Sequence, residues 1–237
     1  MRNTPIRESI VRPDFMVTLG LLPPYTLNDV KTAYRARAME SHPDRGGDAV
    51  DFVRIHEAYK QAMEYVQVIG DRRKWIAEQV DCYLRQQEVA AEVAKLGGQT
   101  YFEEVPWLKG YVGDFALLAD RLRRIHLQNT SAGDAFLTFL MQPPRAPYLV
   151  ELNLAGTLVT DDGLQVLTES ELLRRLDLSR TRVTSRGFES LVHSLPSLES
   201  VGVAGSKIGW LSRWRLSKML RERKAARRRW KLIVQNS

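Results

Sequence analysis

Three consecutive residues, His42-Pro43-Asp44, combine an imidazole, a rigid ring and a carboxylate. Pro43 stiffens the segment, so less conformational entropy is lost when it docks on a partner. Asp44 can form a charge-assisted hydrogen bond with an arginine or a backbone donor of that partner. We find no His or Cys neighbour spaced to make His42 a metal ligand. The tripeptide therefore favours a binding contact, with a simple helix stop as the alternative.

Motifs that would indicate an enzyme are missing from the sequence. There is no GxxxxGK[ST], GxSxG or HExxH pattern, and the single cysteine, Cys82, is not partnered by a histidine. Cys82 and four scattered histidines also offer no zinc ligand cluster. We expect no catalytic residues, no cofactor and no metal.

The segments on both sides of the tripeptide predict a helical hairpin. Thr26 occupies an N-cap position with Asp29 three residues later, and apolar residues then recur at helical spacing up to Ser41. Pro43 ends this helix because it disfavours a helical conformation at the residue before it. A second amphipathic run covers residues 52–66. Two such helices pack antiparallel, which leaves the tripeptide at one end of the hairpin.

Residues 13–67 resemble a J-domain, the module of the DnaJ co-chaperone family. The resemblance rests on the tripeptide between two helices, with Ala33-Tyr34-Arg35 before it and Glu57-Ala58-Tyr59 after it. It implies that the loop and the basic face of the preceding helix dock on a DnaK-type chaperone and speed ATP hydrolysis there. The implied docking residues are His42, Pro43, Asp44, Lys31, Tyr34, Arg35 and Arg45.

Several residues depart from the J-domain pattern. Arg37 stands where a buried leucine is usual, and Ser41 where an aromatic residue is usual. Thr32, Ala36 and Glu40 occupy sites that often carry Lys or Arg. We expect the Arg37 stem to cover the core while its charge reaches solvent. The departures imply a weaker or partner-restricted contact with the chaperone.

Four register-matched segments follow later in the chain. They begin at Leu122, Leu149, Leu173 and Leu198, which are 27, 24 and 25 residues apart, and they end at Thr130, Thr157, Thr181 and Ser206. The alternating apolar positions predict a short parallel strand, and the Gly-Leu-x-x-Leu stretch after it predicts a helix. The recurring hydroxyl is expected to satisfy backbone groups where the strand turns away.

This pattern, LxxLxLxxT over about residues 118–206, resembles a leucine-rich repeat. The resemblance implies a short α/β solenoid whose strands expose one concave face. Its mixture of charges suits a protein or peptide surface better than a phosphate backbone, although these side chains could simply be solvated. The candidate partner-binding residues are Arg124, His126, Glu151, Asn153, Arg175 and Asp177.

The fold class predicted is therefore α+β and multidomain, with an N-terminal all-α J-domain hairpin and a short C-terminal leucine-rich-repeat solenoid. Residues 1–12 are an N-terminal extension, and residues 68–117 connect the domains. We expect this connector to be one helix over 68–97 followed by an N-terminal repeat cap over 99–117. Residues 207–237 are predicted to be a C-terminal cap and basic tail, in which Trp210 and Trp214 cover the open end of the array.

Charge is distributed unevenly along the chain. The formal net charge is +7, but residues 207–237 hold eleven Lys or Arg against Glu222 alone, so the first 206 residues sum to −3. The basic tail, with Arg227, Arg228 and Arg229, is interpreted in three ways: a solvated or partner-contacting helix end, a nucleic-acid contact, or a contact with anionic membrane lipid.

Composition bounds the class of protein. With 44% hydrophobic and 27% charged residues, the chain is typical of a globular protein. We see neither a run of 18 apolar residues nor a secretory h-region near the N-terminus. One cysteine cannot form an internal disulfide, and we expect a cytoplasmic protein.

Two functional hypotheses follow. In the first, the chain is a co-chaperone adaptor that stimulates a DnaK-type ATPase while its repeats bind an unidentified client or partner protein. In the second, it is a scaffold with a degenerate, non-stimulating J-domain and a basic tail that binds nucleic acid or membrane.

Overall fold

The computed structural model of the protein describes residues 12–42, 47–141 and 145–236, with Arg72, Lys224 and 226–236 described by their backbone alone. The structure is mixed: helices dominate, and the strands form one small sheet. The described chain divides into two compact units. The first contains the residues up to Trp75 together with the chain from Ala226, and the second contains Ile76–Ala225.

The first unit is built from helices. Helix α1 spans Asp14–Thr18, α2 spans Leu27–Glu40, α3 spans Ala49–Gly70, and α4, Arg72–Lys95, begins in this unit. Helix α3 packs against both α1 and α2. Tyr34 of α2 contacts Tyr59 of α3, whereas His42 beyond the end of α2 contacts Phe52. Residue numbers thus rise along α2 as they fall along α3, and the predicted antiparallel packing is confirmed.

Capping side chains define the ends of this hairpin. The hydroxyl of Thr26 accepts a hydrogen bond from the backbone N–H of Asp29, whose carboxylate accepts one from the backbone N–H of Thr26. This capping box was predicted. Asp48 caps α3 by accepting from the N–H of Val50 at 2.9 Å. Each N-cap contributes about 1 kcal/mol to helix stability.

The apolar positions of the three helices form the core of the first unit. The ring of Phe15 on α1 meets the ring of Tyr65 on α3 edge-on, with centroids 5.5 Å apart. Other buried side chains from these helices are Met16, Val30, Ile55, Ala58, Ala62 and Val66. Burying one large aliphatic side chain contributes about 1.5–3 kcal/mol, so this packing holds the hairpin together.

The connector differs from the prediction of one helix over 68–97. Helix α3 ends at Gly70, and α4 begins at Arg72. Asp71 separates them: its carboxylate accepts from the N–H of Lys74 at 3.0 Å, and its carbonyl accepts from the N–H of Trp75 at 3.0 Å. A glycine followed by a capping aspartate is a helix stop and start signal, and the sequence analysis missed it.

The second unit contains one five-stranded sheet. Its strands are β1 (Gln99–Glu103), β2 (Arg121–His126), β3 (Glu151–Asn153), β4 (Arg175–Asp177) and β5 (Ser200–Gly202), in that spatial order. Strand β1 is antiparallel to β2, and the others run parallel. The inward residues Ile125, Leu152, Leu176 and Val201 lie in register across the parallel strands.

Each parallel strand is followed by a helix. The segment between β1 and β2 holds two 3-10 helices, Pro106–Leu108 and Gly113–Ala119, with α5 (Lys109–Val112) between them. After β2 to β5 come α6 (Asp134–Met141), α7 (Asp161–Val166) with a 3-10 turn at Leu167–Glu169, α8 (Ser185–Ser194) and α9 (Trp210–Asn236). Neighbouring helices α6, α7 and α8 pack side by side. The aligned leucines fill the core between strands and helices.

Successive strand–helix segments repeat the same backbone geometry. Asn129, Gly156, Arg180 and Gly205 occupy equivalent positions, and their φ angles of 58°, 70°, 56° and 71° are all left-handed. The N–H groups of the first three donate across to the next segment at 2.7 Å each. A left-handed backbone costs an ordinary side chain about 1–2 kcal/mol, so Arg180 is held there by its surroundings.

The recurring hydroxyl residues act as predicted. The side chains of Thr130, Thr157, Thr181 and Ser206 each donate to the backbone carbonyl three residues earlier, at 2.6–2.8 Å. These hydrogen bonds satisfy carbonyl groups at the point where the chain leaves each strand.

A ladder of hydrogen bonds between aspartate and threonine side chains joins the starts of the helices. This ladder was not predicted from the sequence. The Asp134 carboxylate accepts from the backbone N–H and the hydroxyl of Thr160, at 2.8 and 2.6 Å. Asp161 does the same with Thr184, at 2.8 and 2.5 Å. Each aspartate therefore ties its own helix start to the next strand–helix segment.

Helix α4 covers the β2 side of the core, and β1 pairs with β2. Gln86 is buried; it donates to the carbonyl of Asp120 at 3.2 Å and accepts from the N–H of Leu122 at 2.5 Å. Val89 and Val93 of the same helix are fully buried in the core. Within the predicted cap over 99–117, β1 pairs with β2 and Leu108 is buried, whereas Phe115 and Leu117 are about half exposed.

The predicted role of Trp210 and Trp214 was wrong. Their side chains are 74% and 59% exposed, whereas Leu216 and Leu220 of α9 are buried in the core. Ser212 donates to Glu189 of α8 at 2.9 Å on the same side. The inward stripe of α9 thus runs through positions four apart from Ser212, which turns both tryptophans outward.

None of the helices in the described part of the chain is both long and apolar enough to cross a lipid bilayer.

Candidate functional sites

The first candidate site is the α2 face of the hairpin. Lys31 and Arg35 lie four residues apart on α2, and both are exposed to solvent. Tyr34 lies beside them and is half-buried against α3. The structure therefore brings together three of the predicted docking residues. Two cations on one helix face create a positive surface that attracts an acidic partner.

Tyr34 is held in place by two residues of α3. Its hydroxyl lies 3.1 Å from Nδ1 of His56, and its ring stacks on Tyr59 with centroids 4.2 Å apart and planes inclined by 22°. Burial, with a further contribution from Tyr59, raises the pKa of Tyr34, so the phenol stays protonated as a hydrogen-bond donor. The ring orientation is therefore set by α3.

His56 is a residue of this candidate site that was not predicted from the sequence. Burial first, and the charge of Lys60 second, lower the pKa of His56, against an opposing effect of Glu57. The neutral imidazole is favoured, and its Nδ1 can accept a hydrogen bond from the Tyr34 hydroxyl. A signal for this role was present, because Phe52, His56 and Tyr59 are spaced to share one face of α3.

His42 lies at the tip of the hairpin. Its ring packs edge-on against Phe52 with centroids 5.4 Å apart, and its carbonyl accepts from the N–H of Gly47 at 3.1 Å. A Cβ at Gly47 would come within 2.3 Å of the Ser41 carbonyl carbon, so the returning chain needs glycine here. The predicted docking residues Pro43, Asp44 and Arg45 lie outside the described residues.

Arg37 and Ser41, which depart from the J-domain pattern, are each stabilised by contacts with nearby residues of α2. The Arg37 side chain is 48% exposed and lies 3.8 Å from Glu40, so its charge reaches solvent as expected. Ser41 is buried, and its hydroxyl donates to the carbonyl of Arg37 at 2.7 Å. Ser41 thus caps the end of α2 with a small hydroxyl side chain. An aromatic residue at this position would add more apolar surface.

The second candidate site is the outward face of β2, β3 and β4. Glu151 stands between two partners: His126 Nε2 lies 3.0 Å from one carboxylate oxygen, and Arg175 donates to the other at 2.7 Å. Burial raises the pKa of Glu151, but the hydrogen bonds and charges of His126 and Arg175 outweigh it and leave the pKa below its usual value. Three predicted partner-binding residues, His126, Glu151 and Arg175, therefore form one hydrogen-bonded network across neighbouring strands.

An aromatic residue of β1 extends this face. The ring of Tyr101 lies 5.0 Å from that of His126, and the Arg124 guanidinium lies 4.8 Å from the centre of the Tyr101 ring. Tyr101 was predicted only as part of the N-terminal repeat cap over 99–117, because its antiparallel pairing with β2 could not be predicted from the repeat spacing.

Asn153 and Asp177 act first on their own backbone. The Asn153 side-chain oxygen accepts from the N–H of Ala155 at 3.0 Å, and Asp177 accepts from the N–H of Ser179 at 2.8 Å. Both side chains close the turn after their strand. They border the outward face, but part of their hydrogen-bonding capacity is already used.

The third predicted site, Arg227, Arg228 and Arg229, lies on the backbone of α9, and the side chains are outside the described residues. Two other arginines of the basic region have structural contacts. Arg223 donates to the carbonyls of two residues near the end of α8 at 3.0 Å each, and Arg213 donates to the carbonyl of Ile208 at 2.9 Å.

The chemistry available at these sites is binding chemistry. Over residues 12–42, 47–141 and 145–236, no three His, Cys, Asp or Glu side chains are grouped to hold a metal ion. Burial, as the largest effect, raises the pKa of the Cys82 thiol, which disfavours the nucleophilic thiolate. The hairpin face offers cations and a phenol, and the strand face offers alternating charges.

Comparison with known proteins adds one partial relationship. No family model matches the chain. The chaperone proteins DnaJ of Bordetella bronchiseptica, Bordetella parapertussis and Bordetella petrii are each 35% identical to it over 65 residues, which is 27% of this chain. The aligned stretch spans only 16–17% of the length of those relatives. This partial identity and the N-terminal helical hairpin both fit a J-domain.

Proposed function

We propose that the chain is a J-domain co-chaperone whose α2–α3 hairpin docks on a DnaK-type chaperone and speeds ATP hydrolysis there. The observation that carries the proposal is the antiparallel hairpin with His42 at its tip and Lys31 and Arg35 exposed along α2. The partial identity to DnaJ supports the same assignment.

A few side chains would have different roles in the docking contact. Lys31 and Arg35 steer the hairpin toward an acidic surface and speed association. Tyr34, oriented by His56 and Tyr59, offers a phenol at the edge of the contact. The tip residues His42, Pro43, Asp44 and Arg45 reach the partner's nucleotide-dependent switch. The chain itself supplies no covalent step, because hydrolysis occurs on the partner.

We further propose that the second unit consists of leucine-rich repeats in a short solenoid that holds a client or target protein. In-register parallel strands and the repeated left-handed position at Asn129, Gly156, Arg180 and Gly205 support this assignment. The outward strand face, with Arg124, His126, Glu151, Asn153, Arg175 and Asp177, would be the binding surface. Its alternating charges match a protein better than a uniformly negative phosphate backbone.

A second candidate function is a non-stimulating scaffold that uses the repeats for protein binding and Arg227, Arg228 and Arg229 for a nucleic-acid or membrane contact. The observation that favours it is the combination of Arg37 and Ser41 at the end of α2, next to the tip. An altered helix end can misplace the tip residues relative to the chaperone.

Single-turnover ATP hydrolysis by the cognate DnaK-type chaperone separates the two candidates. We expect wild type to accelerate hydrolysis and His42→Gln to lower that acceleration by at least about tenfold, equivalent to about 1.4 kcal/mol of transition-state stabilisation. The Lys31→Ala, Arg35→Ala double variant should act mainly on the concentration needed for half-maximal acceleration, because steering charges change association.

The matched control is His193→Gln, which removes an exposed histidine from α8 in the second unit and should behave as wild type. Circular dichroism would verify that every variant keeps its helices. Wild type without acceleration would favour the scaffold, and His42→Gln with full acceleration would remove the tip from the contact.

A further inference from the structure

The outward side of α9 carries an apolar cluster within one turn and cations beyond it. Trp210, Leu211 and Trp214 are 74%, 60% and 59% exposed. Lys218 and Arg221 continue the same stripe at four and seven residues past Trp214, and both are exposed. Exposed tryptophans are unusual on a free protein surface, and two in one turn mark an interaction site.

This cluster cannot rotate into the core, because the opposite side of α9 already packs against the core and α8. Leu216 and Leu220 are buried among the core residues of the second unit. Ser212 donates to Glu189 at 2.9 Å, and Arg223 donates to carbonyls near the end of α8. These contacts set the rotation of the helix about its axis. The tryptophans are thus held outward on a supported helix.

The charges around the cluster are almost all positive. Lys218 Nζ lies 6.0 Å from the centre of the Trp214 ring, and Arg221 stands one turn further on. Arg215, on the flank, has its side chain 67% exposed and only a loose ion pair with Glu189 at 3.8 Å. Glu222 is the single acidic residue in the sequence of α9. The complementary partner must be negatively charged and must accept protruding apolar side chains.

We propose that the outward face of α9, from Trp210 to Arg221, binds an anionic membrane surface. The two indoles and Leu211 enter the boundary between headgroups and acyl chains, where tryptophan is favoured. Lys218, Arg215 and Arg221 contact the lipid phosphates and carboxylates, each cation strengthening binding about fivefold near such a surface. This proposal concerns a different surface from the chaperone contact and does not depend on it.

Two features favour lipid over nucleic acid or a folded acidic protein. Indoles can stack on unpaired bases, but Leu211 has no π-face and gains nothing from a phosphate backbone. The convex surface of a helix has no groove, so a protein partner would need a matching pocket, whereas a bilayer interface deforms around protruding side chains. A fluid, negatively charged interface satisfies the apolar and the cationic residues together.

Vesicle co-sedimentation of the full chain tests the proposal. We expect binding to vesicles of 30% phosphatidylserine in phosphatidylcholine at about 0.1 M salt, and little binding to phosphatidylcholine alone. The Trp210→Ala, Trp214→Ala variant should lower the partition coefficient at least about tenfold, because two aromatic anchors are lost. Brominated phosphatidylcholine included in the anionic vesicles should quench tryptophan fluorescence of wild type but much less that of the variant.

Matched controls separate insertion from general stickiness. Phe115→Ala with Leu117→Ala removes two half-exposed apolar side chains elsewhere in the same unit and should leave binding unchanged. Equal binding by the tryptophan variant and wild type would overturn the proposal, as would the absence of binding to anionic vesicles. Tryptophan-dependent binding to a single-stranded oligonucleotide, without vesicle binding, would overturn it in favour of nucleic acid.

Discussion

At the residue scale, the proposed docking face depends on a histidine in the neighbouring helix. His56 and Tyr59 both contact the Tyr34 ring, and Phe52 contacts the ring of His42. One face of α3 therefore orients two of the proposed docking residues. Because His56 is half-buried and its neutral form is favoured, this arrangement is expected to respond to pH.

We predict that His56 makes the first unit less stable in mild acid. The folded-state pKa of His56 lies below its usual value, with burial as the main cause, so the unfolded chain binds the proton more readily. The neutral form's stabilising effect is fully present above the unfolded pKa of about 6.5, and it is lost as the pH falls from there toward the folded pKa. Wild type should lose more stability between pH 7.5 and 5.5 than His56→Gln.

Urea unfolding at the two pH values, followed by the NMR amide signals of α2 and α3, measures this difference. The control His193→Gln removes an exposed histidine of the second unit and should keep the pH response that wild type shows in the first. Identical pH responses of wild type and His56→Gln would show that the Tyr34–His56 contact does not depend on a neutral imidazole.

At the element scale, the strand–helix segments are joined by carboxylates that need glycine opposite them. A Cβ on Gly187 would lie 2.3 Å from Oδ1 of Asp161, and one on Gly163 would lie 2.2 Å from Oδ1 of Asp134. Neither aspartate can withdraw without giving up its hydrogen bonds to the following segment. The ladder and the helix packing are therefore coupled.

We predict that Gly187→Ala destabilises the second unit by about 2 kcal/mol, because the displaced Asp161 loses two hydrogen bonds to Thr184. In an Asp161→Gly background, which also removes the Asp161 Cβ that would lie 2.8 Å from the new Cβ, the same change should be neutral or stabilising, since alanine is the better helix former by about 1 kcal/mol. Thermal unfolding of the four proteins in this double-mutant cycle supplies the coupling energy.

The helical control is Gly110→Ala in α5, where a new Cβ has no atom within 4 Å. It should cost little. An additive cycle, in which Gly187→Ala is equally costly with and without Asp161, would place its effect outside the ladder.

The elements were predictable where local signals agree with tertiary packing. The capping box at Thr26 and the recurring hydroxyl residues from Thr130 to Ser206 follow from short-range spacing, and both were predicted. The aligned leucines lie in the core for the same reason. Their alternating spacing matches the two-residue period of a strand with one buried face.

The failures arise where packing chooses between equally apolar stretches. Trp210 and Leu216 both give α9 an apolar appearance, and only the position of α8 decides which side of the helix is buried. The left-handed conformation of Arg180 is set by its neighbours in the stack, since its residue type alone disfavours it. At the hairpin, the pairing of Tyr34 with His56 needed the packing of two helices, which periodicity does not specify.

At the scale of the whole molecule, the proposed functions fall in different compact units. His42, Lys31, Tyr34 and Arg35 belong to the first unit, and the outward strand face belongs to the second. Such a division lets one unit be altered without changing the chemistry of the other.

We therefore predict that Arg124→Glu, a charge reversal on the outward strand face, leaves acceleration of the chaperone's ATPase within about twofold of wild type. Arg124 is exposed, and its described ring contact is with Tyr101 in the same unit, so the hairpin should be unaffected. The reciprocal variant, His42→Gln, should leave the NMR amide shifts of β2 to β5 in place. If well-folded Arg124→Glu lost the acceleration that wild type retains, the strand face would be part of the chaperone contact, because a hairpin that docks alone has no use for that charge.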